Sequence, residues 1–348
     1  MRRIKKNGGK KVFKNFILSR DIGIDLGTAT VLAYTRDKGI VLREPSVVAI
    51  DKTTDRVIKV GKEAQEMLGR TPDSIVALRP FKDGNISQYD VTLKVLRYFI
   101  RRACGNTLLP PRIMISVPTG ISEVEERAIL DASAEAGARK TFLVESPIAA
   151  ALGAGLNIKT AIGNMIVDIG GGITEIAVIS LGGIVVSKSI KIGGDSFDEA
   201  IVRYVRDNYQ MLIGERTAEG IKIKIGEVYE HNTPRTVEVK GRDIITGMPK
   251  VISLSSKEMI GATFEPMTQL IDGICDIIER TPPELVGDIL HNGIILVGGG
   301  SLLGGLDKLI EKVTGIKTRV AENPESCVAI GTGKKLQGIS KYSVDEEK

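Results

Sequence analysis

Residues 165–179 read Met165-Ile-Val-Asp-Ile-Gly-Gly-Gly-Ile-Thr-Glu-Ile-Ala-Val-Ile179, an apolar run that one aspartate and three consecutive glycines interrupt. The apolar and β-branched residues on either side predict two strands joined by a tight turn. We expect Gly170–Gly172 to adopt φ values that no side chain tolerates. Asp168 stands at the edge of this turn, where backbone N–H groups can approach an anion and a carboxylate can lie beside a hard cation. Taken alone, the stretch also fits an ordinary glycine-rich hairpin.

The same pattern occurs a second time in the chain. Residues 24–34, Ile-Asp-Leu-Gly-Thr-Ala-Thr-Val-Leu-Ala-Tyr, align with residues 167–177 without a gap, which matches Asp25 to Asp168. A third apolar run follows each hairpin and begins at Gly39 and Gly183, respectively. A repeat over this distance predicts two related subdomains rather than a short-period solenoid. Two turns that each carry an aspartate and face each other across a cleft could hold one polyphosphate from both sides.

Composition narrows the class of protein. The 348 residues are 42% hydrophobic and 26% charged, which is typical of a soluble globular chain of about two domains. No apolar run approaches the roughly 20 residues that span a bilayer. Cys104, Cys275 and Cys327 form no CxxC pair, so neither a disulfide framework nor a zinc site is indicated, and we expect a cytoplasmic protein. His231 and His291 each precede an asparagine, which favours surface or capping roles over metal ligation or triad chemistry.

Positive charge is concentrated at the N-terminus. Residues 1–20 hold eight basic residues and no acidic one, whereas the remaining 328 residues hold 40 basic against 43 acidic residues. The body of the chain therefore lacks the charge of a nucleic-acid-binding protein. Within this basic tail, the apolar side chains of residues 12–18 recur on one side of a short helix, which fits an anchor on an anionic membrane. A disordered solubilising extension fits equally well, whereas an apolar stretch of only about seven residues disfavours a secretory signal.

Periodicity and turn residues give a coarse map of the elements. The predicted helices cover residues 62–68, 90–102, 122–136, 148–152, 196–212, 215–225, 256–280, 283–290 and 306–313. Strands are predicted at residues 113–117, 141–144 and 294–297, and residues 232–253 alternate as a small β insertion.

Three further features could contribute to a site. Glu145 lies at the carboxyl end of a predicted strand and before a helix, so it is a candidate for orienting water, although a simple helix-start role explains it equally well. Glu219 and Lys222 share a face of a predicted helix, where an exposed ion pair is the alternative. Residues 298–303, Gly-Gly-Gly-Ser-Leu-Leu, separate a strand from a helix, so their amides can meet a ligand. Their spacing matches neither the dinucleotide-binding fingerprint nor the P-loop, which disfavours a dinucleotide-dependent enzyme.

Taken in order, eight short motifs resemble the superfamily of actin, hexokinase and heat-shock chaperone ATPases and, within it, the bacterial actins of the MreB family. The motifs are Ile24-Asp-Leu-Gly-Thr-Ala29, Glu44-Pro-Ser-Val47, Arg79-Pro80, Val124-Glu-Glu-Arg127, Val167-Asp-Ile-Gly-Gly-Gly172, Gly214-Glu-Arg-Thr-Ala-Glu219, Thr281-Pro-Pro-Glu-Leu285 and Gly298-Gly-Gly-Ser-Leu-Leu303. The resemblance covers about residues 21–337 and implies an α/β, actin-like ATPase fold, in which two ribonuclease H-like lobes with small inserted subdomains surround a nucleotide cleft.

The resemblance also implies domain boundaries. They are a basic extension over residues 1–20, lobe I over 21–155 with an insertion at about 51–79, lobe II over 156–337 with an insertion at about 196–254, and a tail over 338–348.

Site residues follow from the same resemblance. It implies ATP or ADP with Mg²⁺ as ligands, the metal lying near Asp25 and Asp168 and held largely through water. Glu145 would orient the attacking water and Thr174 would assist, next to Asp25 and Asp168. The nucleotide would be bound by Gly27, Thr28, Ala29, Thr30, Gly170, Gly171, Gly172, Glu219, Gly220, Ile221, Lys222, Gly298, Gly299, Gly300, Ser301 and Leu302. The chain departs from the family pattern at Thr30, Ser146, Ile173 and Gly220, where Asn, Glu, Thr and a longer side chain are usual.

Function and partners are likewise implied by the resemblance. A protein of this kind would polymerise with ATP into filaments on the inner face of the cell membrane and determine cell shape, together with membrane morphogenesis proteins and without nucleic acid. Residues 1–20 would contact the membrane, and Leu108 and Leu109 are a second candidate contact, although packing under their loop is the more usual role. A non-polymerising ATPase or sugar kinase of the same superfamily is the alternative. A chaperone is disfavoured, because no chain remains after about residue 337 for a substrate-binding domain.

Overall fold

The computed structural model describes residues 21–82, 85–86, 89–104, 109–230 and 233–339. The basic tail of residues 1–20, Leu108 and His231 therefore lie outside the described residues. Among the described residues, no helix combines the length and apolar character needed to cross a bilayer.

Eighteen strands are present in the described part of the chain. They are β1 (Asp21–Leu26), β2 (Thr30–Thr35), β3 (Gly39–Pro45), β4 (Val48–Asp51), β5 (Arg56–Val60), β6 (Ile75–Leu78), β7 (Phe81–Lys82), β8 (Asn85–Ile86), β9 (Arg112–Val117), β10 (Lys140–Glu145), β11 (Asn164–Ile169), β12 (Thr174–Ser180), β13 (Gly183–Ile190), β14 (Met211–Leu212), β15 (Thr236–Asp243), β16 (Pro249–Ser255), β17 (Ile294–Val297) and β18 (Thr318–Val320).

Eleven α-helices are present in the described part of the chain. They are α1 (Lys62–Gln65), α2 (Tyr89–Cys104), α3 (Glu123–Glu135), α4 (Ser146–Gly153), α5 (Gly194–Tyr209), α6 (Glu215–Ile225), α7 (Ser256–Ala262), α8 (Phe264–Arg280), α9 (Pro283–Asn292), α10 (Leu306–Thr314) and α11 (Cys327–Gly338). Two short 3-10 turns, Gly299–Leu302 and Pro324–Ser326, complete the regular structure.

Two five-stranded sheets with the same strand order form the centre of the molecule. The sheet of lobe I has the order β3-β2-β1-β9-β10, and that of lobe II has the order β13-β12-β11-β17-β18. In each sheet a three-stranded antiparallel meander is followed by two parallel strands. Parallel neighbours require crossover connections, and helices supply them here. The internal repeat read from the sequence is thus a repeat of topology, and the predicted actin-like fold of two lobes is confirmed. The predicted domain boundaries stay predictions.

Helices α4 and α11 fill the seam between the two sheets. Their buried side chains, which include Ile148 and Val328, share one apolar cluster with Met114 of lobe I and Ile166 of lobe II. The two helices approach closely because glycines stand at the crossing. A Cβ atom added to Gly331 would lie 1.7 Å from the carbonyl oxygen of Ala149. Small residues at this crossing therefore bring the lobes together beneath the cleft.

Each lobe carries a small inserted sheet. In lobe I, strands β4, β5 and β6 form a three-stranded sheet in the order β5-β4-β6. In lobe II, strands β14, β15 and β16 form a second small sheet, which shares an apolar core with α5 and α6. An ion pair also joins the two lobes, in which Arg79 Nη1 lies 2.5 Å from Asp195 Oδ1.

Three expectations about local structure are wrong. Helix α5 ends at Tyr209 rather than at residue 212, because Gln210 adopts a left-handed conformation and the next two residues form β14. The helix expected over residues 256–280 is two helices that are separated at Thr263. Pro266 has no N–H and its ring collides with the carbonyl four residues earlier, so it is tolerated only in the first turn of a new helix. The third error concerns Gly170–Gly172 and belongs to the site.

Candidate functional site

The two glycine-rich turns face each other and almost touch. A Cβ atom on Gly171 would lie 2.7 Å from the Cβ of Ala29, and one on Gly172 would lie 3.0 Å from Thr28 Cγ2. Gly170, Gly171 and Gly172 are not among the residues with positive φ. The expectation of forbidden φ values is therefore wrong. Gly171 and Gly172 are glycines because the opposite turn approaches closely and leaves no room for side chains, whereas a Cβ on Gly170 would lie 3.0 Å from the Ile173 carbonyl oxygen of its own turn.

A cavity of about 430 Å³ lies between the lobes at this point. Both predicted metal-binding aspartates and most of the nucleotide-binding residues implied by the resemblance form part of its wall. They are Asp25, Gly27, Thr28, Ala29, Thr30, Asp168, Gly170, Gly171, Glu219, Lys222, Gly298, Gly299, Gly300 and Leu302. The fold therefore brings together residues that are up to 277 positions apart in sequence, from Asp25 to Leu302. That volume is in the range of cavities that hold small ligands.

Three carboxyl groups crowd the floor of the cavity. Burial raises the pKa of Asp25 to about 6, and a hydrogen bond from the Ser116 hydroxyl, 3.0 Å long, opposes that shift. Burial also raises the pKa of Asp168 well above its usual value, and the negative charges of Asp25 and Glu175 raise it further. The pKa of Glu175 is about 7 for the same primary reason. The floor of the cavity is therefore short of positive charge.

Divalent metal binding fits these residues. Carboxylate oxygens are ligands that Mg²⁺ accepts, and this ion commonly uses one or two carboxylates together with substrate phosphates and water. Two buried aspartates whose carboxylate forms are disfavoured chiefly by burial would gain a counter-ion from such a metal. Within the described ranges there is no cluster of three or more His, Cys, Asp or Glu residues that could hold an ion unaided. The donor set thus suits a metal that arrives with phosphate and water.

Lys222 forms an ion pair with a residue of another helix. Its Nζ atom donates to Asp198 Oδ2 and to the Gly194 carbonyl oxygen, both at 2.8 Å, rather than pairing with Glu219. The Lys222 and Asp198 side chains are only 14% and 8% exposed, so this is a largely buried ion pair. Lys222 and Glu219 both line the cavity, as does Ile223 one residue further along α6. The alternative interpretation, an exposed ion pair between Glu219 and Lys222, is therefore wrong.

Several residues implied by the resemblance lie behind the wall of the cavity. Ile221 packs into the core of the lobe II insertion, because it projects from the face of α6 opposite to Lys222 and Ile223. Gly220 on the same helix is not part of the wall either. Ser301 donates its hydroxyl hydrogen to the Gly298 carbonyl oxygen at 2.6 Å, which closes the 3-10 turn internally. Gly172, as described above, packs against Thr28.

The two residues expected to assist hydrolysis also lie off this wall. Thr174 is fully buried, and its hydroxyl donates to the Ile192 carbonyl oxygen at 2.7 Å. The Glu145 side chain is exposed. Burial lowers the pKa of Lys335 on α11, and the negative charge of Glu145 opposes that shift. Glu145 is the last residue of β10, and the direction of the chain changes into α4 at the following residue, Ser146. Ser146 lines the cavity in its place, so the expected position of Glu145 is wrong.

Sequence reasoning missed an arginine that crosses the cleft. Arg43 of β3 donates from Nη1 to Glu325 Oε2 at 2.5 Å and from Nη2 to the Ser326 hydroxyl at 2.8 Å. Arg43 and Glu325 both line the cavity, although they are 282 residues apart. No local pattern in the sequence signals this contact. Glu175 was also missed, although its place opposite Asp168 in the hairpin could have indicated it.

Comparison with known proteins identifies the family. The family model described as MreB/Mbl protein matches residues 19–344. The cell shape-determining protein MreB of Escherichia coli strain K12 is 49% identical over 335 residues, which cover 94% of this chain and 96% of that protein. The cell shape-determining protein Mbl of Bacillus subtilis strain 168 is 48% identical over 326 residues, which cover 93% and 98% of the two chains.

A solved structure agrees with this assignment. The crystal structure of MreB5 of Spiroplasma citri bound to ADP has a TM-score of 0.89 and 37% identity, and the match covers 92% of this chain and 97% of that one. Similarity of sequence and of fold therefore extends over nearly the whole chain. This chain belongs to the MreB/Mbl family of actin-like proteins.

Proposed function

We propose that this protein is an ATP-binding cytoskeletal polymer that hydrolyses ATP and contributes to cell shape. The observation that carries the proposal is the meeting of two related aspartate-bearing turns across one cavity, Gly27–Thr30 from lobe I and Gly170–Gly172 from lobe II. Backbone amides of such turns suit phosphate oxygens. The ADP bound to MreB5 and the cell-shape role named for its bacterial relatives support the same conclusion.

The wall residues suggest how ATP would lie. The polyphosphate would contact both turns, and Mg²⁺ would lie near Asp25 and Asp168 and neutralise phosphate charge. The adenosine would lie toward Glu219 and Lys222 on one side and toward residues 299–302 on the other. Phosphoryl transfer to water depends on positioning and charge neutralisation more than on covalent chemistry by the protein. Closure of the lobes around the nucleotide would supply both.

Sedimentation tests polymerisation. We expect the purified protein to pellet with Mg²⁺ and ATP, to show filaments by electron microscopy, and to release phosphate. Samples with ADP, without nucleotide and with a chelator serve as controls. A protein that hydrolyses ATP but stays monomeric in every nucleotide state would contradict the polymer and leave a non-polymerising ATPase. Release of ADP that depends on an added sugar would instead indicate a kinase.

Membrane attachment forms a separate part of the proposal. Eight basic residues and an apolar cluster within residues 1–20 suit an anionic lipid surface, and Leu109, 41% exposed, adds a candidate contact next to Pro110. Such filaments would lie on the inner face of the membrane, where membrane morphogenesis proteins could meet them. We expect the full chain to cosediment with anionic vesicles but not with neutral ones, and deletion of residues 1–20 to weaken this binding. Equal cosedimentation of both chains would contradict a membrane role for the tail.

A further inference from the structure

We propose that Glu175, and not Glu145, orients the water that attacks the terminal phosphate of ATP and accepts its proton. This inference rests on the proposed hydrolysis of ATP and names the residue that carries it out. It follows from where the structure places three side chains: Ser146 and Glu175 line the cavity, and Glu145 does not.

The hairpin register directs Glu175 into the cavity. Glu175 is directly opposite Asp168 in the antiparallel pair of β12 and β11. Side chains that are directly opposite in such a pair project from the same face of the sheet. Both residues line the cavity, and Glu175 is only 3% exposed. A carboxylate is therefore held next to the proposed metal and phosphate positions and away from bulk water.

Glu175 is also held in place by lobe I. Its Oε1 atom accepts a hydrogen bond of 2.7 Å from the backbone N–H of Thr119, in the loop that follows β9. Pro118, in the same loop, lines the cavity. The Glu175 carboxylate thus spans the two lobes at the floor of the cavity, where their relative positions would change on closure. A water-orienting group placed there would be active only when both lobes are in position.

The residue after β10 supports the Glu175 carboxylate. Ser146 is 9% exposed, lines the cavity and donates its hydroxyl hydrogen to the Val117 carbonyl oxygen at 3.1 Å. The same hydroxyl also lies close enough to interact with the Glu175 carboxylate. A serine hydroxyl is neutral, so Ser146 supports the Glu175 carboxylate but cannot replace it as the proton acceptor. The Glu145 side chain, one residue earlier, is exposed and lies near Lys335.

The chemical step balances with water and ATP alone. The water oxygen forms a bond to the γ-phosphorus while the bond from that phosphorus to the β–γ bridging oxygen breaks. The bridging oxygen leaves on ADP with the electron pair of the broken bond. One proton of the water passes to the Glu175 carboxylate and then to solvent, and the other stays on inorganic phosphate. A positioned base of this kind contributes about 10²-fold to 10⁴-fold to a rate.

A purely structural role for Glu175 is the rival explanation, since the bond from Thr119 joins the lobes. The substitution Glu175→Gln separates the two explanations. The glutamine carbonyl oxygen can still accept the Thr119 N–H, but an amide does not act as the proton acceptor. We expect single-turnover hydrolysis of ATP to fall by about 100-fold or more. The dissociation constant for the nucleotide, measured with a fluorescent analogue, is expected to stay within about twofold, and the thermal unfolding midpoint in the presence of nucleotide is not expected to fall.

The control variant is Glu238→Gln, which makes the same substitution on an exposed strand residue of the same lobe. It is expected to hydrolyse ATP at the parent rate. The assignment is overturned if Glu175→Gln turns over like the parent, or if Glu145→Gln alone abolishes turnover. A parallel loss of nucleotide affinity and thermal stability in Glu175→Gln supports the structural role and also overturns it. If the parent chain itself releases no phosphate while binding ATP, the proposed hydrolysis fails along with the role of Glu175.

Discussion

The crossing of α4 and α11 makes a prediction about how tightly the two lobes are joined. At Gly331 a Cβ atom would lie 1.7 Å from the carbonyl oxygen of Ala149 and 2.5 Å from its carbonyl carbon, whereas ordinary contacts begin at 3.4 Å. Gly331→Ala therefore requires the two backbones to separate by about 1.7 Å at this point. Because both partners are helix backbone, no flexible side chain can move aside.

The expected magnitude follows from two opposing effects. Overpacking of a close contact costs about 1–3 kcal/mol, and a backbone collision belongs at the upper end of that range. Alanine in a helix interior recovers about 1 kcal/mol relative to glycine. We therefore expect Gly331→Ala to lower the free energy of unfolding by about 2 kcal/mol. Nucleotide affinity should fall as well, since Val328 on the same helix lines the cavity.

Gly338→Ala is the matched control, because Gly338 ends the same helix and has no atom within 4 Å of the added Cβ. It is expected to be neutral or to stabilise by at most about 1 kcal/mol. The chain contains no tryptophan, so urea unfolding is best followed by circular dichroism of the helices. Equal urea midpoints for the two variants would refute the reasoning, since the close contact would then carry no strain on substitution.

Two further predictions concern the wall of the cavity. Lys222→Met leaves Asp198 buried without its counter-ion, so we expect the free energy of unfolding, measured in urea melts, to fall by about 3 kcal/mol. The double variant that also carries Asp198→Asn should recover part of this loss, and no recovery would contradict the pairing. Gly171→Ala places a Cβ 2.7 Å from that of Ala29, so we expect nucleotide affinity to fall by tenfold or more in titrations. Gly183→Ala, whose Cβ meets nothing within 4 Å, should bind as the parent does, and equal affinities for both variants would argue against close contact of the turns.

The glycine turns illustrate what could be predicted and what could not. The repeat at Asp25 and Asp168 was readable from the chain, because each turn is encoded by a short contiguous run of residues. The reason for glycine at residues 171 and 172 was not readable, because it depends on the distance to Thr28 and Ala29 in the other lobe. A glycine required by its φ angle and a glycine required by a close tertiary contact look the same in a sequence.

Helix α6 and strand β10 show the same division at the level of side chains. The helical period placed Glu219 and Lys222 on one face, and that face does line the cavity. The partner of Lys222 is Asp198, which comes from α5 and could not be deduced from spacing on a single helix. Likewise, the end of β10 was predicted to within one residue, but whether Glu145 or Ser146 enters the cavity depends on how the chain turns into α4.

The sequence by itself determined the two meanders, their repeated aspartate turns and the family resemblance, since these follow from hydrophobic period, turn residues and ordered motifs. Only the tertiary structure decided which carboxylates share the cavity, because that depends on strand register and on the direction of a side chain at a strand end. Asp168 and Glu175 stand seven positions apart in the quoted stretch and become neighbours only when the hairpin pairs them. Packing of lobe I against this hairpin then places Thr119 against Glu175.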